Sequence, residues 1–378
     1  MIDQFSRRTL LTAGAAAGAL AAAPALAKTY KKRRLVIDAL GGIGDPDGDP
    51  MTPEQIAAHY INPSNIDDAL KANLAAANTT LGYVYGDSDP FVQTVDDLSW
   101  MTEAIRLRPE KLIHVLSAKD ILSAHKANKS GVIFGFQNSE MFGGDASRAR
   151  LFADLGVRIV QLTYNIRNTA GDGALVPENT GLTKFGHDLI AALNERRLLV
   201  DLAHGGEKLT YDAIKASTAP IAITHTGCAA LAAHPRNKKD AELKALADSG
   251  GVAGIYFMPY LTPGRQQLAA DVVDHIEHAV NVCGEDHVGI GTDGMTSGID
   301  DMPKYMEAFR KNTEERKALG IAAPNEDPNI ITTTPDLMGP TQFEKLAGML
   351  AARGHKEARI DKILGGNFLR LFGEVWGG

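Results

Sequence analysis

Residues 198–226 contain the pattern that most constrains the fold: an apolar run, a helical segment and a second apolar run. The first run, 198–202, leads to His204, and the second, 221–224, leads to His225. Between the runs, apolar residues recur at helical spacing. Parallel strands joined by a helix place their carboxyl ends on the same face of a sheet. The spacing therefore predicts two histidines within reach of a shared ligand.

Strands and helices alternate along the rest of the chain in the same way. The alternation favours a parallel sheet, and a count of eight strands favours a closed (β/α)8 barrel over an open doubly wound sheet. No glycine-rich dinucleotide fingerprint follows the first strand. We predict one TIM-like (β/α)8 domain over residues 28–378, with extra C-terminal helices. The predicted strands are 35–40, 81–85, 131–136, 157–162, 198–202, 221–224, 251–257 and 288–292, and the predicted helices include 66–77, 303–318, 340–353, 356–363 and 365–373.

Polar side chains stand where these strands end, which is where barrels of this kind collect their catalytic groups. In chain order they are Asp38, Gln137 or Glu140, Tyr164, His204, His225 and Asp293. Neutral imidazole is the commonest protein ligand for zinc and its neighbours, so the two histidines are candidate metal ligands. Asp293 would then exchange protons with a metal-activated water or the leaving group of a hydrolysis. Each residue alone has an ordinary explanation, as a hydrogen-bonded loop histidine or as part of an Asp-Gly turn.

The first 27 residues have the features of an export signal. SRRTLL at 6–11 is a twin-arginine pattern, an Ala- and Gly-rich run follows it, and ALA at 25–27 fits a cleavage site. We expect export to the periplasm by the twin-arginine route. The run is too weakly apolar for a transmembrane helix, so no stable membrane span is expected after cleavage.

Charge and cysteine content limit the partners and the class of fold. The net charge of −7 and the lack of a basic stripe argue against nucleic-acid binding, which leaves a small-molecule substrate as the expected partner. The two cysteines, Cys228 and Cys283, exclude a disulfide-based scaffold. The periplasm permits a disulfide between them, and two free thiols fit the sequence equally well.

Five ordered motifs span most of the mature chain: VDLAH at 200–204, TH at 224–225, HPRN at 234–237, GIGTDG at 289–294 and GGNFLRLF at 365–372. Together they resemble the membrane (renal) dipeptidase family, which are zinc hydrolases among the amidohydrolase-like barrels. The resemblance implies hydrolysis of dipeptides or similar small amides. Members of that family often pair, so a homodimer is also expected, although no stretch of this sequence marks an interface.

The resemblance also assigns roles to individual residues. It implies that His204 and His225 hold one zinc ion and that Asp293 is the catalytic acid or base. It implies that Arg236 and Asn237 help to hold the substrate carboxylate. An arginine fork is well shaped for a carboxylate, which gives the assignment independent physical sense.

Other positions depart from the family pattern. The His-x-Asp pair that binds the second zinc in the family falls on Leu40 and Gly42, and neither can bind a metal. The bridging glutamate falls at or near Gln137, with Glu140 three residues further on. The family's substrate-contacting histidine is replaced by Tyr164, which we retain as a substrate-binding residue.

Three interpretations follow from these departures. In the first, His204, His225 and either Gln137 or Glu140 hold about one zinc per chain, which is an ordinary catalytic site. In the second, groups such as Asp38 rebuild a second metal site. In the third, the barrel binds a small molecule without peptidase activity or hydrolyses another ester, lactone, phosphoester or amide. Loops 41–53, 165–184 and 295–338 are expected to cover the pocket.

Overall fold

The computed structural model describes residues 33–324 and 326–377, and the chain from Arg34 onward forms one compact unit. The predicted export signal, residues 1–27, lies outside this described part. Within it, no helix is both long enough and apolar enough to cross a membrane.

The described residues contain eleven short strands, and eight of them form the wall of a barrel. They are β1 Val36–Asp38, β2 Gly41–Gly42, β3 Leu74–Thr80, β4 Leu112–His114, β5 Ser130–Phe136, β6 Val157–Gln161, β7 Leu199–Asp201, β8 Ala222–Thr226, β9 Val252–Ile255, β10 Val288–Ile290 and β11 Gly294–Met295. The wall runs β1, β3, β5, β6, β7, β8, β9, β10, with every pair parallel, and β4 pairs with β5 outside this path. Most strand residues are fully buried, as expected for a parallel sheet that helices cover.

The seam between the first and last wall strands brings two distant parts of the chain together. The Ala39 N–H donates to the Ile290 oxygen at 3.0 Å, and beyond this point β2 pairs in parallel with β11. The barrel is therefore nearly closed, and the predicted (β/α)8 fold is confirmed.

Helices follow most of the wall strands and cover the outside of the barrel. In the described residues they are α1 Pro53–Ala57, α2 Pro63–Lys71, α3 Pro90–Arg106, α4 Ala118–Ala127, α5 Arg148–Asp154, α6 Lys184–Glu195, α7 Glu207–Ala216, α8 Asp240–Asp248, α9 Ala269–Cys283, α10 Met302–Ala318, α11 Gln342–Ala352, α12 Glu357–Asp361 and α13 Asn367–Trp376. A π-helical turn, Lys362–Gly366, joins the last two. Many of these helices have an apolar face towards the barrel, which is the periodicity that the sequence displays.

The prediction for the second wall strand was wrong. We expected a helix over 66–77 and a strand over 81–85, but the helix ends at Lys71 and the strand is β3. Asn73 has φ +57°, a left-handed conformation that ends the helix and redirects the chain. Alanine favours helices, yet the three consecutive alanines of β3 are buried in the barrel wall, where packing outweighs intrinsic propensity.

The last helix closes the end of the barrel opposite the site. Phe368, Leu371 and Phe372 of α13 are fully buried and pack in one apolar cluster with wall residues such as Leu199 and Val252. These wall residues lie at the amino ends of β7 and β9. Among the extra C-terminal helices predicted from the sequence, α13 therefore stabilises the barrel at the amino ends of its strands and leaves the carboxyl end open for chemistry.

Both cysteines are free thiols. The Cys228 sulfur is buried and donates to the backbone oxygen of His275 at 3.4 Å, whereas Cys283 is half-buried on α9. Burial raises the pKa of both thiols. The structure thus resolves the open alternative in favour of two unbonded cysteines.

Candidate active site

His204 and His225 lie side by side at the carboxyl ends of β7 and β8. The parallel pairing of these strands brings the rings together, with their Nε2 atoms 2.9 Å apart. Both side chains are buried. The structure therefore places the two histidines as their spacing predicts, while their role as metal ligands stays a prediction.

Asn165 determines which nitrogen of His204 carries the hydrogen. Its Nδ2 donates to the backbone oxygen of Ile321 at 2.8 Å, which leaves Oδ1 facing His204 Nδ1 at 2.6 Å. An amide oxygen can only accept, so Nδ1 of His204 is the donor. In the neutral ring, the lone pair is then on Nε2.

Thr224 and Asp201 determine the same for His225. The Thr224 Oγ1 atom lies 2.6 Å from Asp201 Oδ2 and 2.9 Å from His225 Nδ1. Burial raises the pKa of Asp201 to about 6, so at neutral pH it is a carboxylate that can only accept. The single hydroxyl hydrogen of Thr224 therefore goes to Asp201, and His225 Nδ1 donates to the hydroxyl oxygen. The lone pair of His225 is also on Nε2.

The two lone pairs consequently face each other across the 2.9 Å gap. Burial lowers the pKa of both imidazoles well below the usual range, and the charge of Arg236 lowers it further, so both rings are neutral. Opposed lone pairs repel, and a divalent cation would satisfy both at once. The pair therefore fits a metal ion. Larger groups of ligands are absent from the described part of the chain: within residues 33–324 and 326–377, no three or more His, Cys, Asp or Glu side chains are grouped so that they could hold a metal ion.

A cavity of about 190 Å³ opens onto His204 at this end of the barrel. Its polar wall is formed by strand-end residues, and its apolar wall and roof come from the segments after β9 and β11. The lining residues are Tyr164, Asn165, His204, Arg236, Met258, Pro259, Tyr260, Asp293, Phe309, Asn312, Thr313, Arg316, Glu326, Asp327, Ile330 and Thr332. The volume is suited to a small molecule rather than to a long peptide.

Asp293 lies in this cavity with His204. Its φ is +56°, and its N–H donates to the Leu40 oxygen at 2.8 Å, so the turn after β10 is tied to the first strand. Burial raises the pKa of the carboxyl group, while the charges of Arg236 and Arg316 lower it. A carboxyl group with these opposing influences can both accept and release a proton during a reaction.

Arg236 is an unusual component of the cavity because, among the described residues, no carboxylate forms an ion pair with its buried guanidinium, although the carboxyl groups of Asp201 and Asp293 lie close enough for its charge to act on them. The side chain is only 1% exposed, and its Nη1 donates to the backbone oxygen of Ala203. Among the residues that the structure describes, nothing accepts a hydrogen bond from its Nη2. Burying a guanidinium with an unpaired donor carries a desolvation cost, which an anionic ligand would offset.

An ion pair closes the roof of the cavity. Arg316 of α10 donates through Nη2 and Nε to the two carboxylate oxygens of Glu326, at 2.9 and 3.1 Å. Tyr260 O–H also donates to Glu326, at 2.7 Å. Arg316 Nη1 donates to the Tyr164 hydroxyl oxygen at 3.0 Å, and the Tyr164 ring stacks on His204 with centroids 4.3 Å apart. The roof is therefore tied directly to the histidine pair.

Three of the predicted site residues are turned away from this cavity. The Gln137 amide donates to Thr80 Oγ1 at 2.7 Å, at the end of β3. Glu140 accepts from the N–H and hydroxyl of Thr169, at 2.8 and 2.9 Å, and lines a separate cavity. Asn237 donates to the backbone oxygens of Ala232 and Tyr260, both at 2.8 Å. The structure does not bring these side chains to the histidine pair.

Asp38 is also committed elsewhere. Its carboxylate accepts from the N–H and hydroxyl of Thr292, at 2.8 and 2.6 Å, and from the Leu40 N–H at 3.3 Å. Burial raises the pKa of Asp38 to about 7. These bonds clamp β1 to the end of β10, so the geometry gives no support to a second metal site rebuilt around Asp38.

The sequence analysis assigned no role to several residues at the site, although Thr224 stands in the TH motif at 224–225. Asn165 and Thr224 are adjacent to residues that were singled out, and their position at strand ends is a signal that could have found them. Arg316 and Glu326 carry no such signal, because they lie in a helix and a loop where charged residues are common.

Comparison with known proteins identifies the family. A model of the membrane dipeptidases, peptidase family M19, matches residues 54–315. The chain belongs to this family. The resemblance drawn from the motifs is thereby confirmed, and the departures at Leu40 and Gly42 mark it as a divergent membrane dipeptidase family member.

One relative and two solved structures show what the chain is similar to. The chain is 29% identical over 286 residues to dipeptidase tcpJ of Claviceps purpurea (strain 20.1), covering 75% of this chain and 60% of that protein. A solved amidohydrolase from Pseudomonas aeruginosa is 31% identical with a TM-score of 0.76, and the match covers 91% of this chain and 97% of that one. A Rhodobacter sphaeroides metallo peptidase, liganded with a phosphinate mimic of L-Ala-D-Ala, has the same fold at 19% identity, with a TM-score of 0.69 and coverage of 90% and 99%.

Proposed function

We propose that this member of the membrane dipeptidase family is a zinc-dependent hydrolase of dipeptides or similar small amides. The observation that carries the proposal is the placement of His204, Asp293 and Arg236 around one small cavity, with the Nε2 lone pairs of His204 and His225 opposed. This combination offers a cation site, a proton carrier and an anion site around one cavity of about 190 Å³.

His204 and His225 would hold the zinc ion. A zinc ion bound there would supply a water nucleophile at neutral pH and a Lewis acid for the scissile carbonyl. Two imidazoles without a third side-chain ligand are expected to hold zinc less tightly than a usual three-ligand site. We propose about one ion per chain. Because the binding is expected to be weak, we also expect that assays need added zinc.

Asp293 moves the proton in this proposal. As a carboxylate it accepts a proton from the attacking water, and as a carboxylic acid it returns that proton to the departing amine nitrogen. Arg236, which lines the cavity, binds the free carboxylate of the substrate. The Tyr164 hydroxyl accepts from Arg316, so its own hydrogen is available to donate to a substrate oxygen.

The function is tested by metal analysis and a substrate panel on the purified protein. We expect about one zinc per chain in zinc-supplemented buffer and cleavage of small dipeptides. The panel should also contain a lactone, a phosphotriester and an ester without a carboxylate. Turnover of these compounds alone would replace the dipeptidase proposal with another hydrolase, and ligand binding without any turnover would indicate a binding protein.

Replacing Arg236 with methionine should abolish the preference for a free carboxylate. We expect kcat/KM for a dipeptide to fall on the order of 100-fold, since a desolvated charge contact is lost. The same dipeptide with a C-terminal amide should be hydrolysed equally by both proteins. Arg236→Lys keeps the charge but loses the two-pronged guanidinium, so its kcat/KM for the dipeptide should lie between the values of the wild type and Arg236→Met. An equal loss on both substrates would argue against carboxylate recognition.

A further inference from the structure

The histidine pair has a competing arrangement in which it needs no metal. If the hydrogen of His225 moved from Nδ1 to Nε2, the ring would donate to His204 Nε2 across the existing 2.9 Å gap. The pair would then form an ordinary imidazole–imidazole hydrogen bond, and one of the two lone pairs available to a metal would be lost. Something in the protein must disfavour this arrangement if the pair is to bind a metal.

Thr224 and Asp201 supply that bias. The Thr224 hydroxyl hydrogen is committed to Asp201 Oδ2 at 2.6 Å, so towards His225 Nδ1 the hydroxyl presents only a lone pair. A His225 ring with its hydrogen on Nε2 would place a second lone pair against it. Asp201 is itself held by the N–H groups of Thr224 and Ala203, at 2.9 and 3.1 Å, and cannot turn away.

A second aspartate–threonine pair in the same barrel separates two effects of this arrangement, the joining of two strands and the contact with a histidine ring. Asp38 holds the N–H and hydroxyl of Thr292 at 2.8 and 2.6 Å, nearly as Asp201 holds Thr224 at 2.9 and 2.6 Å. Each pair joins neighbouring wall strands, but Thr292 precedes Asp293 and no imidazole contacts its hydroxyl among the described residues. Both aspartate–threonine pairs therefore join two strands, but of the two threonines only Thr224 also contacts a histidine ring nitrogen.

We propose that Thr224 and Asp201 are positioning residues that keep the hydrogen of His225 on Nδ1, as Asn165 does for His204, and so hold both Nε2 lone pairs open for a metal ion. The inference rests on the proposed function for the identity of the ligand. The hydrogen positions themselves do not depend on it.

The Thr224→Val variant tests the proposal because valine keeps the branched shape and removes only the hydroxyl. We expect its zinc dissociation constant, measured by chelator competition, to rise about 10- to 100-fold, which is typical for the loss of an outer partner of a metal ligand. Thr224→Ser restores the hydroxyl and should restore the affinity. Thr292→Val makes the same change in the other pair and should leave zinc affinity unaltered.

The position of the hydrogen is measured separately, by imidazole ¹⁵N NMR on the metal-free proteins. In the wild-type chain both rings should carry the hydrogen on Nδ1, whereas in Thr224→Val His225 should shift towards Nε2. Unchanged zinc affinity in Thr224→Val, or an equal loss in Thr292→Val, would overturn the proposal. A wild-type chain that shows these hydrogen positions but binds no zinc would instead refute the proposed function and leave the positioning role intact.

Discussion

The double substitution His204→Ala/His225→Ala is expected to lower bound zinc from about one ion per chain to background and to reduce dipeptide hydrolysis to the uncatalysed rate. The reason is that these two Nε2 atoms are the metal donors for which the structure supplies both a neutral state and a shared direction. Elemental analysis after equilibrium dialysis against zinc-supplemented buffer, with the free zinc of that buffer subtracted and turnover measured on the same samples, checks the result.

The control for this experiment is a buried histidine outside the cavity. His275 on α9 accepts from the Cys228 N–H at 2.9 Å and is 2% exposed, so His275→Ala removes a similar ring from a similar environment. We expect that variant to keep its zinc. If the double variant of His204 and His225 retained stoichiometric zinc, the metal would have to bind elsewhere and the proposed site would be wrong.

The placement of these histidines could be predicted from the sequence because a strand end is a strong local signal. Short apolar runs locate β7 and β8, and parallel pairing then fixes where the following side chains must lie. The same reasoning places Asp293 and Tyr164. The second strand failed because its alanines favour a helix, and only the packing of the assembled barrel overrides that preference.

The orientation of individual side chains could not be predicted in the same way. Gln137 follows a wall strand as closely as the histidines do, yet its amide bonds to Thr80, and Asn237 satisfies two backbone oxygens. An amide side chain takes the partners that the neighbouring strand and loop present, and these depend on register. The residue type therefore identifies a candidate for the site, but the hydrogen bonds available from neighbouring strands and loops decide whether its side chain faces the cavity.

The roof was the least predictable part of the site. The segment 295–338 was expected to cover the pocket, and it does so through α10 and the loop that follows. The particular contact, Arg316 with Glu326, joins residues of ordinary type in a region without strand periodicity. The other two loops expected to cover the pocket are 41–53 and 165–184. Together they contribute one residue, Asn165, to the lining of the cavity.

Replacing Asp293 with asparagine is expected to lower kcat by about 10²- to 10⁴-fold, the usual contribution of a general acid or base, while zinc content and KM stay close to those of the wild-type chain. Asparagine is the appropriate substitution because the backbone at this position has φ +56°. Asparagine and aspartate tolerate that left-handed conformation, whereas alanine would add strain and confound the comparison. Steady-state kinetics on a small dipeptide, together with elemental analysis, measures both parts of the expectation.

The pH dependence separates proton transfer from a merely structural role of Asp293. A general base works only as the carboxylate, so kcat/KM should fall as pH drops through the pKa of Asp293, and this acid limb should be absent in Asp293→Asn. Arg316 lowers that pKa through its charge. The variant Arg316→Met/Glu326→Gln removes both charges of the roof pair. Of the two, Arg316 is the charge that acts on the pKa of Asp293, so the variant should raise that pKa and move the acid limb to higher pH. An acid limb that persists unchanged in Asp293→Asn would assign the titration, and with it the proton transfer, to another group.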